Sequence, residues 1–378
     1  MSSRPSVDFP GAQIVDELAL DELPKGACTK LLVNLIHDGL GRSLRLPVMV
    51  ARGAHPGPVL GITAALHGNE LNGIPVIHNL FKSLDLKSLR GTIVGVMVVN
   101  VPAYLNNMRT FDDRTDMNHV MPGKPHGSIA QIYAHRFLHR IIERFEYLID
   151  LHTASFGNVN SLYVRTDMTN EITAKMAYLQ RPQIILHNPA SDRTLRGTAA
   201  ELGIPSITVE IGDPQIFQPR RIAASLTGVR RVMAEIGMLV KRSRSVSKGE
   251  SRSVSSRASN GAVSKAGPQP VLCSSSEWLY TDNGGLLDVL PKPTDIVKAD
   301  DIIALQRNIF GEVIAQYRAP HDGIVIGKSM NPVAQTGARI IHLGAIAAPE
   351  NSLYVQIHTA IPKMPIPVAP SLEHLAHH

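Results

Sequence analysis

His67 and Glu70 stand three residues apart in the stretch HGNE, directly after the apolar run PVLGITAAL. An apolar run of this length is typical of a buried β-strand. Charged side chains at the end of such a strand are costly to bury unless they have partners. Imidazole and carboxylate groups are zinc ligands, and a strand-to-helix turn lets both face one ion. The stretch therefore predicts part of a metal site.

Two more apolar runs end in polar residues: YLIDLHT places His152 at a strand end, and IPSITVE ends in Glu210. In an open α/β sheet, sites form at the carboxyl ends of the strands, so these residues are expected to approach His67 and Glu70. His152 completes a His₂Glu set, which binds catalytic zinc and leaves one coordination position for water. Glu210 is predicted to be the general base and then the general acid.

The metal interpretation depends on the combination of polar strand ends, because single histidines carry little information. The chain has 16 histidines, and an isolated one such as His78 is typically solvent-facing or hydrogen-bonded. Asp150 has two open interpretations. It could hydrogen-bond to a ligand imidazole, or it could cap a strand end, and the structural role is the favoured one.

The stretch 100–123, NVPAYLNNMRTFDDRTDMNHVMPG, is longer and more polar than a simple connection, which often indicates function. Within it, Arg109 is a candidate to polarise the scissile carbonyl and stabilise its oxyanion. Asn118 is a candidate to hydrogen-bond to a substrate carboxylate. The alternative, equally open at this point, is that the arginines of this stretch are solvated or paired with its acidic residues, which are Asp112, Asp113 and Asp116.

The elements that position these residues alternate between strands and helices. An early β-meander is predicted from TKLLVNLI and RLPVMVARG. Further strands are predicted at 58–66, 92–99, 147–151 and at the end of 201–210, and helices at 71–84, 129–145 and about 219–240. The alternation predicts an α/β fold with a mixed, mostly parallel sheet flanked by helices.

Residues 241–270 have a different composition from the rest of the chain. They contain seven Lys or Arg and one Glu, so their own net charge of +6 equals that of the whole chain. They are Ser-rich and poor in large apolar residues, which predicts a disordered linker. The remainder is formally neutral, so a nucleic-acid partner is not favoured, although RSRS-type repeats can bind RNA or be phosphorylated.

After the linker, short strands separated by Gly, Pro and Asp predict a smaller all-β domain, a sandwich or barrel. The expected organisation is a catalytic domain at 1–240 that includes the β-meander, the linker at 241–270, and a β domain with a tail at 271–378.

The bulk composition is ordinary for a globular protein, with 44% hydrophobic and 19% charged residues. The first residues lack the apolar core of a signal peptide, and no apolar stretch reaches the roughly 18 residues of a membrane helix. The cysteines, Cys28 and Cys273, are too few and too far apart for a disulfide framework or a cysteine zinc cage. The expected location is therefore the cytoplasm, without a membrane partner.

Taken in order, HGNE, the stretch from Arg109 to DMNHVMPG, DLHTA and TVEIG resemble the motifs of the succinylglutamate desuccinylase/aspartoacylase family. That family consists of zinc deacylases related to the M14 carboxypeptidases. The stretch TLRGTAAELGIPSITVEIGDPQIFQ is similar to a bacterial branch that includes N-acetyl-diaminobutyrate deacetylases. The likeness spans 30–240 and, more loosely, 277–345. It implies a zinc carboxypeptidase-like fold, one zinc ion per chain and a homo-oligomer.

By position, the resemblance assigns zinc to His67, Glu70 and His152. It implies that Glu210 is the catalytic carboxylate and that Arg109 polarises the carbonyl or contacts the substrate. The C-terminal segment resembles the β domain that packs beside the active-site mouth in that family and limits substrate size.

The substrate side departs from the family pattern. The family usually has Asn-Arg in D-x-N-R-x-F-P-G, and this chain has Asn118-His119. A guanidinium is a permanent bidentate partner for a carboxylate, whereas a histidine near pH 7 is mostly neutral. Arg114 lies nearby and is a candidate replacement, and Arg196, in TLRG, falls on an arginine often placed near the substrate. The usual acidic amino-acid substrate therefore does not follow from the resemblance.

The C-terminal segment also resembles biotinyl/lipoyl-type barrel-sandwich modules, which carry a modified lysine at a hairpin tip. The matching stretch here, QRNIF at 306–310, has no lysine, and Lys328 lies elsewhere. A structural lid is therefore the preferred interpretation of this domain.

Together these residues predict a zinc-dependent hydrolase of carbon–nitrogen bonds. It would remove the acyl group of an N-acyl amino acid or a similar small N-acylated metabolite by metal-activated water with a Glu base. A metallocarboxypeptidase would share the metal ligands, but His119 and the β domain argue against peptide substrates. A non-catalytic scaffold that binds a metabolite or RNA through 241–270 would hold no metal.

Overall fold

The computed structural model describes residues 4–5, 9–189, 193–239 and 269–347. Almost all of the predicted linker and the tail 348–378 lie outside these ranges. Within these ranges the chain forms six α-helices and nineteen strands, with short 3-10 helices at Leu20–Glu22, Met117–His119 and Ile142–Arg144. None of these helices combines the length and the apolar character needed to cross a membrane.

The element bounds are as follows. The strands before residue 240 are β1 Arg4–Pro5, β2 Ala12–Val15, β3 Ala27–His37, β4 Ser43–Arg52, β5 His55–Ala64, β6 Arg90–Val96, β7 Tyr147–His152, β8 Asn158–Asn160, β9 Leu162–Thr166, β10 Ile184–His187 and β11 Ser206–Ile211. The helices are α1 Gly73–Lys82, α2 Val101–Leu105, α3 Ile129–Arg140, α4 Glu171–Gln180, α5 Leu195–Glu201 and α6 Pro219–Glu235. The strands after residue 268 are β12 Val271–Tyr280, β13 Gly285–Val289, β14 Ile296–Val297, β15 Ile302–Arg307, β16 Val313–Arg318, β17 Gly323–Ser329, β18 Val333–Ala334 and β19 Arg339–Ile346.

Fifteen of the described strands form one mixed sheet. At its centre, β6, β5, β7 and β11 are parallel neighbours. Next to them β9 runs antiparallel to β11 and parallel to β10. The predicted α/β class with a mixed sheet and helices is confirmed.

The central strands are buried on both faces, because alternate residues of a strand point to opposite sides. In β7, Tyr147, Ile149 and Leu151 belong to a core cluster that includes residues of α1, α4 and α6. Leu148, between them, packs into a second cluster with residues of α3 and α5. The sheet is therefore covered by helices on both faces, as expected for a parallel centre.

Three predicted helices are shorter in the structure than in the sequence analysis, and the first of them, α1, spans Gly73–Lys82 and not 71–84. Helix α3 begins at a capping box, in which Ser128 accepts a hydrogen bond from the Gln131 amide and the Gln131 side chain accepts one from the Ser128 amide. It ends at Arg140 and continues as the 3-10 helix, not to residue 145. Helix α6 ends at Glu235, before Gly237 at a φ of 81°, a conformation that glycine supplies after helices.

The C-terminal strands divide between two sheets. β12 pairs in parallel with β10 and antiparallel with β19, so the large sheet continues into the C-terminal segment. β16, β15, β13 and β18 form a separate, smaller antiparallel sheet, as predicted for a small β unit. Eleven buried residues, among them Ile303, Ile340 and Leu343, form the core of this part of the structure.

Candidate metal centre and active site

The candidate residues meet at the carboxyl edge of the parallel strands. β5 and β7 end side by side, with Ala64 opposite Leu151. Glu210 on β11 lies directly opposite His152 on β7. Loop 100–123 follows β6, the parallel neighbour of β5, so it reaches the same edge. The register of the sheet therefore explains why four separate stretches of sequence form one site.

The turn that carries His67 and Glu70 is closely packed. A Cβ added at Gly68 would lie 2.1 Å from the backbone carbon of Ala103 in α2, a distance that forces the backbone to move. A Cβ at Gly73, the first residue of α1, would lie 2.8 Å from the Cβ atoms of Ala64 and Leu151. Glycines at these two positions let the turn approach α2 and let α1 approach the strand ends. This close packing places the side chains of His67 and Glu70 at the carboxyl edge of the sheet.

The structure brings the three predicted metal ligands together. His67, Glu70 and His152 each offer a ligand atom, and these atoms lie within 4.8 Å of one another. Nδ1 of His67 is 2.9 Å from Oε1 of Glu70, and Nδ1 of His152 is 2.9 Å from Oε2 of the same carboxylate. All three residues are buried.

The imidazole of His67 supports the interpretation of this group as a cation site. Its Nδ1 atom is buried and makes no hydrogen bond to the described residues. Nδ1 is within ion-pair distance of Oε1 of Glu70, but the two groups are not oriented for a hydrogen bond. Two ligands that both point at one ion are arranged in this way. Two imidazoles and a carboxylate form a donor set that suits zinc and several other divalent metals. The residues present therefore fit a divalent ion.

The far nitrogen of each imidazole contacts a carboxylate. Nε2 of His67 lies 3.1 Å from Oδ1 of Asp116, and Nε2 of His152 lies 2.8 Å from Oδ2 of Asp150. Thr63 Oγ1 donates to the other oxygen of Asp150 at 2.6 Å. Carboxylates in this position fix the ring orientation of metal-binding histidines. For Asp150, the structure thus favours the imidazole partner over the strand cap that the sequence favoured.

The charges of the group shift the pKa values of its members in opposite directions. Burial alone would raise the pKa of Glu70, but the charge of His67 and a hydrogen bond with His152 lower it. In Asp116, burial is likewise outweighed by His67 and Arg109, and the pKa is lowered. Burial would lower the pKa of His152, but Asp150 and Glu70 raise it well above its usual value. Each of these shifts favours the charged form of its group.

Glu210 lies beside the cluster without being part of it. Burial raises its pKa, and the charges of Arg165 and His152 oppose that rise. Its Oε1 is 3.9 Å from Nε of Arg165, and its Oε2 accepts from Nδ2 of Asn160 at 3.4 Å. This carboxylate lines the cavity next to the three ligands, where a base for a bound water is needed.

Arg109 is held between two carboxylates. Its Nε and Nη2 atoms each lie 3.0 Å from Oδ2 of Asp116, and its Nη1 donates to Oε1 of Glu70 at 3.2 Å. Pairing with Asp116 was one of the two open interpretations from the sequence. The same contacts hold the guanidinium against the candidate metal ligand Glu70 at the cavity wall, and its role toward a scissile carbonyl stays a prediction.

A cavity of about 320 Å³ opens at this edge of the sheet. The predicted substrate-binding residues Asn118, His119 and Arg196 line it. The Asn118 side chain also accepts from the Leu195 amide, and Arg196 donates to the backbone oxygen and Oδ1 of Asn188. Arg114 is exposed at a φ of 65° and is not among the lining residues.

Comparison with known proteins agrees with this geometry. Residues 56–236 match the model of the succinylglutamate desuccinylase/aspartoacylase catalytic domain. The likeness to this family covers 181 of the 378 residues. That segment contains all three candidate ligands as well as Arg109 and Glu210.

Three known proteins are similar to this chain over most of its length. N-alpha-acetyl-L-2,4-diaminobutyric acid deacetylase from Halomonas elongata is 22% identical over 298 residues, which cover 76% of this chain and 81% of that protein. The product-bound ectoine utilization protein EutE (DoeB) from Ruegeria pomeroyi has a TM-score of 0.71 and 19% identity, and the match covers 86% of this chain and 98% of that protein. A succinylglutamate desuccinylase/aspartoacylase from Rhodobacter sphaeroides has a TM-score of 0.73 and 16% identity, and the match covers 88% of this chain and 100% of that protein.

Several residues that line the cavity were not identified from the sequence. Tyr163 and Arg165 come from β9, Trp278 from β12 and Arg339 from β19. The Arg339 guanidinium lies over the Trp278 ring, 4.6 Å from its centroid. In the sequence these residues lie in ordinary strand patterns far from the motifs, and only the strand order β11-β9-β10-β12-β19 brings them to the site.

Proposed function

We propose that this protein is a zinc-dependent deacylase that cleaves the amide bond of a small N-acyl amino acid. The observation that carries the proposal is the buried group of His67, Glu70 and His152 with Glu210 opposite His152. The family match and the name of the Halomonas elongata relative support the reaction class. The ligand set supports the choice of zinc.

His67, Glu70 and His152 would hold the zinc ion, which would supply polarisation of a carbonyl and a lowered pKa, about 7, for a bound water. Glu210 is proposed to accept a proton from the attacking water and to deliver it to the leaving nitrogen. Arg109 is proposed to donate to the oxygen of the scissile carbonyl as negative charge develops there. Asp116 and Asp150 are positioning residues, because they hold the imidazoles and, for Asp116, the Arg109 guanidinium.

The size of the cavity favours a small substrate. A volume of about 320 Å³ is at the lower end of the usual range of ligand pockets. Trp278 and Arg339 of the C-terminal strands form part of its wall. We therefore propose that the C-terminal strands exclude long peptides, which separates this enzyme from a carboxypeptidase.

The proposal includes the cellular location, the oligomeric state and the domain organisation of the protein. Both cysteines are free in the structure, with Cys28 exposed and Cys273 buried, which suits the reducing cytoplasm. We also propose a homo-oligomer with a catalytic unit at 1–240 and a linker at 241–270. Light scattering of the full chain tests the oligomer, and limited proteolysis with mass spectrometry tests the linker.

Hydrolysis of a substrate panel tests the function. The full chain is stripped with a chelator, reloaded with zinc, and assayed on Nα-acetyl-L-2,4-diaminobutyrate, N-acetyl-L-aspartate, N-succinyl-L-glutamate and a tripeptide. We expect zinc-dependent release of the acyl group from at least one N-acyl amino acid. The C-terminal residue of the tripeptide should not be released. Activity that persists in the stripped protein, or cleavage of the peptide alone, would contradict the proposal.

A further inference from the structure

Four arginines line the cavity, and three of them already have partners within it. Arg109 pairs with Asp116 and Glu70. Arg196 donates to Asn188. Arg165 donates to the hydroxyl of Tyr163 and lies 3.9 Å from Glu210.

Arg339 differs from these three. No carboxylate of the described residues lies within ion-pair distance of its guanidinium. Its described contact is with the Trp278 ring, and it is exposed at the cavity wall. Stacking uses the face of a guanidinium and leaves its in-plane N–H groups available to bind another group.

The stack that supports Arg339 is itself fixed. Trp278 is parallel to the ring of His342, with centroids 5.0 Å apart and an interplanar angle of 9°. His342 is buried, and its Nε2 lies 2.8 Å from Oγ of Ser276. Trp278 and His342 are also register partners of β12 and β19. The guanidinium therefore rests on a platform that belongs to the core of the large sheet.

We propose that Arg339, held over Trp278, is a specificity-determining residue that binds the free carboxylate of the substrate. A guanidinium binds a carboxylate through two parallel N–H···O bonds. The inference rests on the proposed function, because an N-acyl amino acid keeps a free carboxylate next to the amide that is cleaved. It also gives the cavity a permanent cation, whereas His119 replaces the arginine of the family pattern and Arg114 lies outside the cavity lining.

The selectivity for a carboxylate follows from the surroundings of Arg339. Arg109 and Arg165 are partly neutralised by Glu70, Asp116 and Glu210, and Arg196 is buried and donates to Asn188. Among the described residues of the wall, an anion therefore gains most at the exposed Arg339 guanidinium. A neutral carboxamide of the same shape cannot form the charge-assisted pair. Replacing the carboxylate by a carboxamide should therefore have the same effect as removing the guanidinium.

Paired substrates and variants test this directly. Steady-state kinetics are measured for zinc-loaded wild type, Arg339→Gln, Arg339→Lys and the control Arg307→Gln, an arginine of the smaller sheet outside the cavity lining. The substrates are Nα-acetyl-L-2,4-diaminobutyrate and its α-carboxamide. We expect Arg339→Gln to raise KM for the acid roughly 10- to 100-fold with kcat changed less than about threefold. The Lys variant should recover part of the loss, and the carboxamide should be equally poor for every protein.

A binding measurement separates this inference from the proposed function. Trp278 is the single tryptophan of the chain, so its fluorescence reports on the cavity wall. In the zinc-free protein, the acid should cause a saturable change in emission that the carboxamide does not, with an apparent Kd at least tenfold weaker in Arg339→Gln. If wild type hydrolyses nothing but this pattern holds, the proposed function fails and the carboxylate site stands. The role of Arg339 is overturned if hydrolysis occurs but the acid and the carboxamide change the emission equally, and do so to the same extent in wild type and Arg339→Gln.

Discussion

Glu210 lies directly opposite His152 across the parallel strands β11 and β7. Side chains opposite each other on neighbouring strands stand on the same face of the sheet, so one strand carries a candidate metal ligand and the next carries the proposed base. Both strands are buried along their whole length, which fixes their register against slippage. The placement of the base relative to the metal site is therefore a property of the core and not of a mobile loop.

Replacing Glu210 with Gln tests this division of roles. The substitution removes the proton acceptor but leaves the three ligands in place. We expect kcat to fall roughly 10²- to 10⁴-fold, while zinc content remains at one ion per chain. Zinc content is measured by atomic emission after dialysis, alongside the kinetics. A variant that keeps activity, or loses its zinc together with its activity, would show that Glu210 has another role.

Replacing Asp150 with Asn tests the carboxylate behind the His152 ring. Asp150 is buried and accepts from Thr63 as well as contacting Nε2 of His152. We expect zinc affinity to fall roughly 10- to 100-fold, measured by competition with a chromogenic chelator. Asp112→Asn, which makes the same charge change on an exposed residue of loop 100–123, serves as the control. Equal affinities in the two variants would mean that Asp150 does not support the ligand.

Replacing Gly68 with Ala tests the close packing of the HGNE turn. The new methyl group would overlap the Ala103 backbone, so the turn or α2 must move. We expect the free energy of unfolding to fall by about 1–3 kcal/mol and zinc affinity to fall with it, since the turn carries two ligands. Gly39→Ala is the matched control, because a Cβ there meets nothing within 4 Å. Unchanged urea unfolding in Gly68→Ala would be inconsistent with this packing.

His342 makes stability depend on pH. Burial, and then the charges of Arg165 and Arg339, lower its pKa well below the model-peptide value of 6.5. The unfolded chain therefore binds this proton more readily, and the contribution of His342 to stability is full above pH 6.5 and is lost as pH falls toward the folded-state pKa. The slope for one such group is at most about 1.4 kcal/mol per pH unit.

His342→Gln should remove this contribution to the slope. Urea unfolding of wild type and variant at a series of pH values from neutral to mildly acidic gives the difference in unfolding free energy at each pH. We expect that difference to shrink steadily as the pH is lowered below 6.5. A difference that stays constant with pH would show that His342 takes up its proton equally easily in the folded and unfolded states.

The sequence was informative where function places polar residues at the ends of apolar strands. His67, Glu70, His152 and Glu210 stand out because a charged side chain at or just after the end of a buried strand is costly unless it has partners. The structure brings the three ligands within 4.8 Å. The α/β class followed from the alternation of strands and helices, and the small antiparallel sheet from the short C-terminal strands.

The residues that surround the candidate ligands could not be identified from local sequence patterns. Asp116 is one of several acidic residues in loop 100–123, and nothing in its neighbours singles it out as the partner of His67. Arg339 and Trp278 reach the cavity because β12 joins the large sheet beside β10. That pairing joins two parts of the chain separated by the predicted linker, and composition gives no information on it.

Metal binding to His67, Glu70 and His152 is the claim on which the function depends. The most direct measurement is a zinc titration of the chelator-stripped full chain, with bound metal determined after equilibrium dialysis. We expect one tightly bound ion per wild-type chain, the same in His78→Ala, a histidine on the exposed side of α1, and none in His67→Ala or Glu70→Ala. A wild-type chain that binds no zinc, or His67→Ala and Glu70→Ala variants that bind it as tightly as wild type, would contradict the metal site.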